Sequence, residues 1–200
     1  MRNDRRATLA LMAGAGMAAL IGARPARAMT ADGASTLIQA AVTDVYAVIN
    51  SGVSPAQMYS QFEAIFARYA DVDIIARSVL GPKARQISGA EFAAYKQAFQ
   101  GFIGRKYGKR FREFVGGKIE VQGAKPLKSF YSVTSVAYLN GRAPMEVEWH
   151  VSDKSGKPAF FNLIIEGVNM LATERAEIAA MLAARKGDIA VLTADLRGAG

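Results

Sequence analysis

The sequence predicts an α+β domain, with N-terminal helices packed on a four-stranded antiparallel sheet and helices again at the C-terminus. Three observations predict it. Apolar residues recur at helical spacing from Asp32 to Phe114, the period changes to two beyond Gly116-Gly117, and helical spacing returns from Thr173 to Arg197. The preceding stretch belongs to no fold. Met1–Arg6 is a charged start, Ala7–Gly22 an apolar run too short to span a bilayer, and Ala26-Arg27-Ala28 an A-x-A cleavage site. Residues 1–28 therefore read as an export signal removed before Met29, and residues 29–200 as a single domain. Arg5-Arg6 followed by Ala7, Thr8 and Leu9 loosely resembles a twin-arginine signal, which leaves the export route open.

The elements follow in order. Asp32 to Asn50 carries Leu37, Ile38, Ala41, Val42, Val45 and Ile49 at helical spacing. Ser54-Pro55 with Gln57 has the form of a cap, a first-turn proline and a capping-box partner, opening a helix to about Tyr69. Asp71 can cap the next helix and Gly81-Pro82 stops it. Ser88 with Glu91 is a second capping box, and it starts a segment with seven aromatic rings between Glu91 and Phe114. There Phe99, Ile103, Tyr107 and Phe111 recur every four residues, while Phe92, Tyr95, Phe102 and Phe114 widen the stripe. Such a band is either helix core or one wall of an apolar pocket. Gly101, Gly104 and Gly108 inside it each cost about 1 kcal/mol relative to Ala, which predicts a bend or a close approach.

Four strands are expected at Lys118–Gln122, Phe130–Asn140, Pro144–Asp153 and Pro158–Gly167, with turns at Gly141–Pro144 and Lys154–Pro158. In Pro144–Asp153 alternation puts Met145, Val147, Trp149 and Val151 on a core face and Glu146, Glu148, His150 and Ser152 on a wet one. In the last strand Ala159, Phe161, Leu163 and Ile165 share a face, with Phe160 and Ile164 opposite, so both sides are expected to be covered.

Chemistry is scarce. The chain has one His and no Cys, which removes thiolate metal sites and disulfides. There is no G-x-S-x-G elbow, calcium loop or P-loop, and the G-x-G at Gly14-Ala15-Gly16 lies in the leader. His150 falls on a polar strand face as a solvated histidine, and Glu146 with Glu148 as a charged sheet face rather than a pair of carboxylates tuned apart. Asp71 and Asp73 read as helix-start chemistry. Without residues 1–28, which hold five Arg and one Asp, 20 basic and 16 acidic residues leave a net charge of +4. That balance argues against nucleic acid as a partner, and Lys106, Lys109, Arg110 and Arg112 read as the wet edge of an amphipathic helix. No cofactor is expected. The 172 residues are enough to hide about 70% of their unfolded surface without a covalent staple.

Three stretches carry a resemblance: ADVDIIARSVLG at Ala70–Gly81, GRAPMEVEW at Gly141–Trp149 and IIEGVNMLATERAE at Ile164–Glu177. Together they resemble the MlaC, or toluene-tolerance, family of periplasmic phospholipid-binding proteins, in order and spacing across almost all of residues 29–200. F-x-x-I-F-x-R-Y precedes the first motif. Ala84 stands where the family often has an aromatic residue, the family's G-V-S-M is Gly167-Val168-Asn169-Met170, and the tryptophan common near Lys157–Ala159 is missing. The resemblance implies a periplasmic, non-enzymatic carrier with an apolar lipid cavity between sheet and helices. The acyl chains of a phospholipid would lie against Phe66 and Tyr69, Ile75, the stripe residues Phe99, Phe102, Ile103, Tyr107 and Phe111, the strand residues Tyr131, Val133, Val147, Trp149, Val151, Phe161 and Ile165, and Met170. It also implies two partners, an outer-membrane lipoprotein complex and an inner-membrane ABC transporter with a ring of lipid-binding subunits. A carrier of another apolar lipid such as a hopanoid, and a periplasmic lipid hydrolase, are the alternatives.

Overall fold

Helices in this chain begin where a short polar side chain can accept from the first free amides. The computed structural model, which describes residues 29–111 and 114–200, shows this repeatedly. Thr30 accepts from the Gly33 amide ahead of α1 (Ala31–Ile49). Ser54 and Gln57 form a reciprocal capping box on α2 (Pro55–Tyr69). Asp71 accepts from Ile74 at the start of α3 (Val72–Leu80), and Gly81, at φ 65°, ends that helix in a short 3-10 turn. The Ser88–Glu91 box opens α4 (Gly89–Phe111).

The glycines of α4 mark a close approach rather than a break. A Cβ at Gly104 would sit 2.8 Å from the Cβ of Glu63, and one at Gly108 2.7 Å from the Tyr59 ring, so α2 crosses α4 where side chains have been removed. The local helix penalty is the condition for that crossing.

The sheet is a meander in the order β1-β2-β3-β4-β5, with every neighbouring pair antiparallel. β1 (Lys118–Leu127) runs five residues beyond the expected end at Gln122, through a register shift between Val121 and Gly123. β2 is Phe130–Tyr138, β3 Met145–Ser152 and β4 Ala159–Ile165. The fifth strand corrects the expected four. Glu166 and Gly167 both have positive φ, at 49° and 77°, the geometry of a two-residue hairpin turn, and it folds Val168–Asn169 back as β5. Asn169 then caps α5 (Met170–Ala184) by accepting from Ala172. Asn in place of Ser at this position keeps the cap, because both side chains offer an acceptor oxygen at the same reach.

The expected C-terminal helices are two. Lys186 and Gly187 turn left-handed, the Gly187 amide reaches back to the Leu182 carbonyl, and Asp188 caps α6 (Ile189–Gly198). α1 lies along β1 and β2, α5 packs on α3 and β4, and α4 has α2 and α6 as its nearest helices. The aromatic helix thus enters the core from the helical layer, while α1 is the helix laid most closely on the sheet. No helix among the described residues is long and apolar enough to cross a membrane.

Candidate functional site

Val133 and Val151 are fully enclosed where β2 and β3 face the helices, and Phe99 and Tyr95 of α4 are equally enclosed. One contiguous apolar cluster joins them with Tyr69, Ile75, Phe102, Ile103 and Phe160, and Phe66, Tyr107, Tyr131 and Trp149 pack against it. Most of the residues expected to contact lipid are therefore brought into a single interior. Val147 is buried outside that cluster, and Ile165 and Met170 are half-buried outside it. Phe111 ends α4, and its side chain lies outside the described residues. These side chains lie between the sheet and the helices.

A β-bulge rearranges the last strand. His150 pairs with Asn162 but Val151 pairs with Phe160, so Phe161 is skipped in the register. The insertion reverses the expected faces at this end: Phe160 joins the core face, edge-on to Trp149 at 5.4 Å, while Phe161 turns to the other side of the sheet against Phe130. Strict alternation has no way to anticipate an extra residue.

The same bulge corrects the reading of His150 as a solvated residue. Its ring lies 4.7 Å from Phe130 and 5.7 Å from Phe161, and its side chain is 13% exposed. Nε2 lies 3.1 Å from Glu148, and Asn162 approaches Nδ1 at 3.5 Å. The Ser132 hydroxyl donates to Glu148 at 2.7 Å, and with the nearby imidazole it holds that carboxyl below the usual range. Serine and histidine both engage the glutamate, which is not the serine–histidine–carboxylate order of a hydrolase triad. Among the described residues no group of three or more His, Cys, Asp or Glu side chains could hold a metal ion.

The polar feature of the interior is a bridge between α4 and α5. Lys106 donates to both oxygens of Glu174, at 2.8 and 2.9 Å, and to Glu177, while the Tyr107 hydroxyl donates to Glu174 at 2.6 Å. Glu174 is only 4% exposed. Burial works against the Lys106 charge, but its bonds to Glu174 and Glu177 prevail and raise its pKa. Burial and the Glu174 carboxylate push the Tyr107 phenol far up. Among the described residues the Tyr95 hydroxyl is enclosed with no hydrogen-bond partner, as is that of Tyr46. Sequence reasoning placed Lys106 on a wet edge and passed over Glu174, although its position between Leu171 and Ile178 on one helical stripe was a signal.

At the surface, α1, the end of α2 and the β1 bulge enclose an open groove of about 710 Å³, lined by Gln39, Thr43, Asp44, Arg68, Tyr69 and Gln122 among others. Tyr69 belongs both to this lining and to the apolar core, and its hydroxyl donates to Asp44 at 2.7 Å.

Residues 39–198 match the family described as MlaC protein. The chain belongs to the MlaC family. A solved structure of a phospholipid-binding protein from Ralstonia solanacearum, in complex with a phospholipid, has the same fold, with a TM-score of 0.69 at 16% sequence identity. The likeness covers 82% of this chain and 94% of that one. The MlaC family match reaches from within α1 to the end of α6, so it takes in every strand and most of the apolar interior.

Proposed function

We propose that this protein is a periplasmic lipid carrier rather than an enzyme, one that encloses the acyl chains of a phospholipid between its sheet and its helices. The observation that carries the reading is membership of the MlaC family by a chain whose interior is a continuous aromatic and aliphatic cluster. A structural neighbour described as phospholipid-binding supports the ligand class. Two acyl chains of about 15 methylenes each, at about 0.8 kcal/mol per methylene, cost roughly 24 kcal/mol to expose to water. Unaided passage through an aqueous compartment is correspondingly slow.

Loading requires the packed interior to open, since Phe99, Val133 and Val151 have no free surface. The chains replace protein–protein contacts with protein–lipid contacts of similar apolar character, so exchange is close to neutral in free energy. The groove is lined by Tyr69, which also belongs to the core, and by the exposed Arg68, whose guanidinium is paired with Asp44 at 3.2 Å and would have to exchange that partner for a phosphate headgroup. In this reading residues 1–28 are the export signal, and the carrier moves lipid between an outer-membrane lipoprotein complex and the ring of an inner-membrane ABC transporter. Organic extraction of the protein purified from the periplasm, followed by mass spectrometry, tests it. A stoichiometric glycerophospholipid is expected. A hopanoid would change the ligand, and a protein with no extractable lipid from any source would refute the carrier.

A further inference from the structure

Met29 is held through its backbone on both sides. Its nitrogen donates to the Asp153 carboxylate at 2.9 Å, and its carbonyl accepts from the Tyr131 hydroxyl at 2.9 Å. The two partners lie 124 and 102 residues further along the chain, in the turn after β3 and at the start of β2. Met29 and Asp153 are both half-buried. The A-x-A motif ends at Ala28, so the residue that the sequence marks as the first after cleavage is the one that the fold pins down.

We propose that cleavage between Ala28 and Met29 releases an α-ammonium that forms an ion pair with Asp153, so that processing completes the fold. This rests on the reading of residues 1–28 as an export signal. Before cleavage the nitrogen is a neutral amide with one N–H; afterwards it carries a charge and three donors, and charge-assisted bonds are roughly twice as strong as neutral ones. The new charge arises just ahead of α1, where the positive end of the helix dipole repels it. Asp153 opposes both positive charges. It is therefore the receptor for the new terminus, and the pair ties the residue just ahead of α1 to the β3–β4 turn.

The test uses protein exported from its full-length chain. Intact mass and N-terminal sequencing give the first residue, and melting temperatures of wild type and Asp153→Asn are compared between about pH 6 and pH 10. Protein beginning at Met29 is expected, with Asp153→Asn melting about 2–4 °C lower near neutral pH. A nearby carboxylate raises the pKa of the terminal amine above its free value of about 7.7–8.0. The wild-type advantage is then complete below that value and fades as pH rises through the raised one. An amide donor would give a difference that ignores alkaline pH. The other titratable groups on the elements that meet here, Asp32 of α1, Tyr131 of β2, Lys128 of the β1–β2 turn and Lys154 and Lys157 of the β3–β4 turn, are shared by both proteins and cancel. A chain with one extra Ala ahead of Met29 should lose the alkaline transition. A Met29 start with a constant or absent difference refutes the ion pair alone, while a start elsewhere refutes the assigned cleavage and the pair together.

Discussion

Removing the Lys106 ammonium while keeping its stem, as in Lys106→Met, isolates the bridge between α4 and α5. The Glu174 side chain is 6% exposed and would keep the Tyr107 hydroxyl as a donor, whereas Lys106 is 22% and Glu177 40% exposed. Breaking a fully buried pair from one side costs about 3–5 kcal/mol, and the partial exposure of Lys106 lowers the expectation here to about 2–3 kcal/mol. For a domain of this size that is a drop in Tm of about 4–12 °C. The reciprocal change, Glu174→Gln, leaves Lys106 beside Glu177 and water, and should cost less, about 1–2 kcal/mol. Urea denaturation of both variants at about pH 7.5 measures this. Equal losses below about 1 kcal/mol for both variants would show that the carboxylate is effectively in water and would refute the reasoning.

Three further outcomes follow from single contacts. Gly104→Ala should destabilise by about 1–3 kcal/mol, against the gain usual for Gly→Ala in a helix, because its methyl would meet Glu63; a rise in melting temperature would refute the close crossing of α2 and α4. Tyr95→Phe removes a buried hydroxyl without a partner and should raise stability by up to about 1–3 kcal/mol, so a clear loss in thermal melting would reveal a partner for that hydroxyl. Ser132→Ala removes the bond that helps to hold the Glu148 pKa down and should cost about 1 kcal/mol at neutral pH. That cost is lost as pH falls through the depressed Glu148 pKa, so a difference from wild type that persists in strong acid, read by circular dichroism, would contradict the assignment.

Local chemistry was legible in the sequence by itself. Ser54, Asp71 and Ser88 start their helices, Gly81 ends one, and the change of period beyond Gly117 marks the passage to a sheet, because caps and periodicity depend on residues within a few positions of each other. The enclosed residues of the aromatic stripe and of β2 and β3 were legible for the same reason. The sequence motifs also identified the family. Tertiary structure decided what depends on insertion and on distant partners. A single extra residue in β4 moved Phe160 into the core and Phe161 onto the far face, which no alternation rule can anticipate without the register of β3. Gly104 is explained only by the backbone of α2 that crosses it. Glu174 is tolerable in the interior only because Lys106 and Tyr107 reach it from another helix, 68 and 67 residues away in the chain. Burial, and with it the meaning of a charge, is a property of the assembled layers, and a sequence expresses it only through the partners that folding brings within bonding distance.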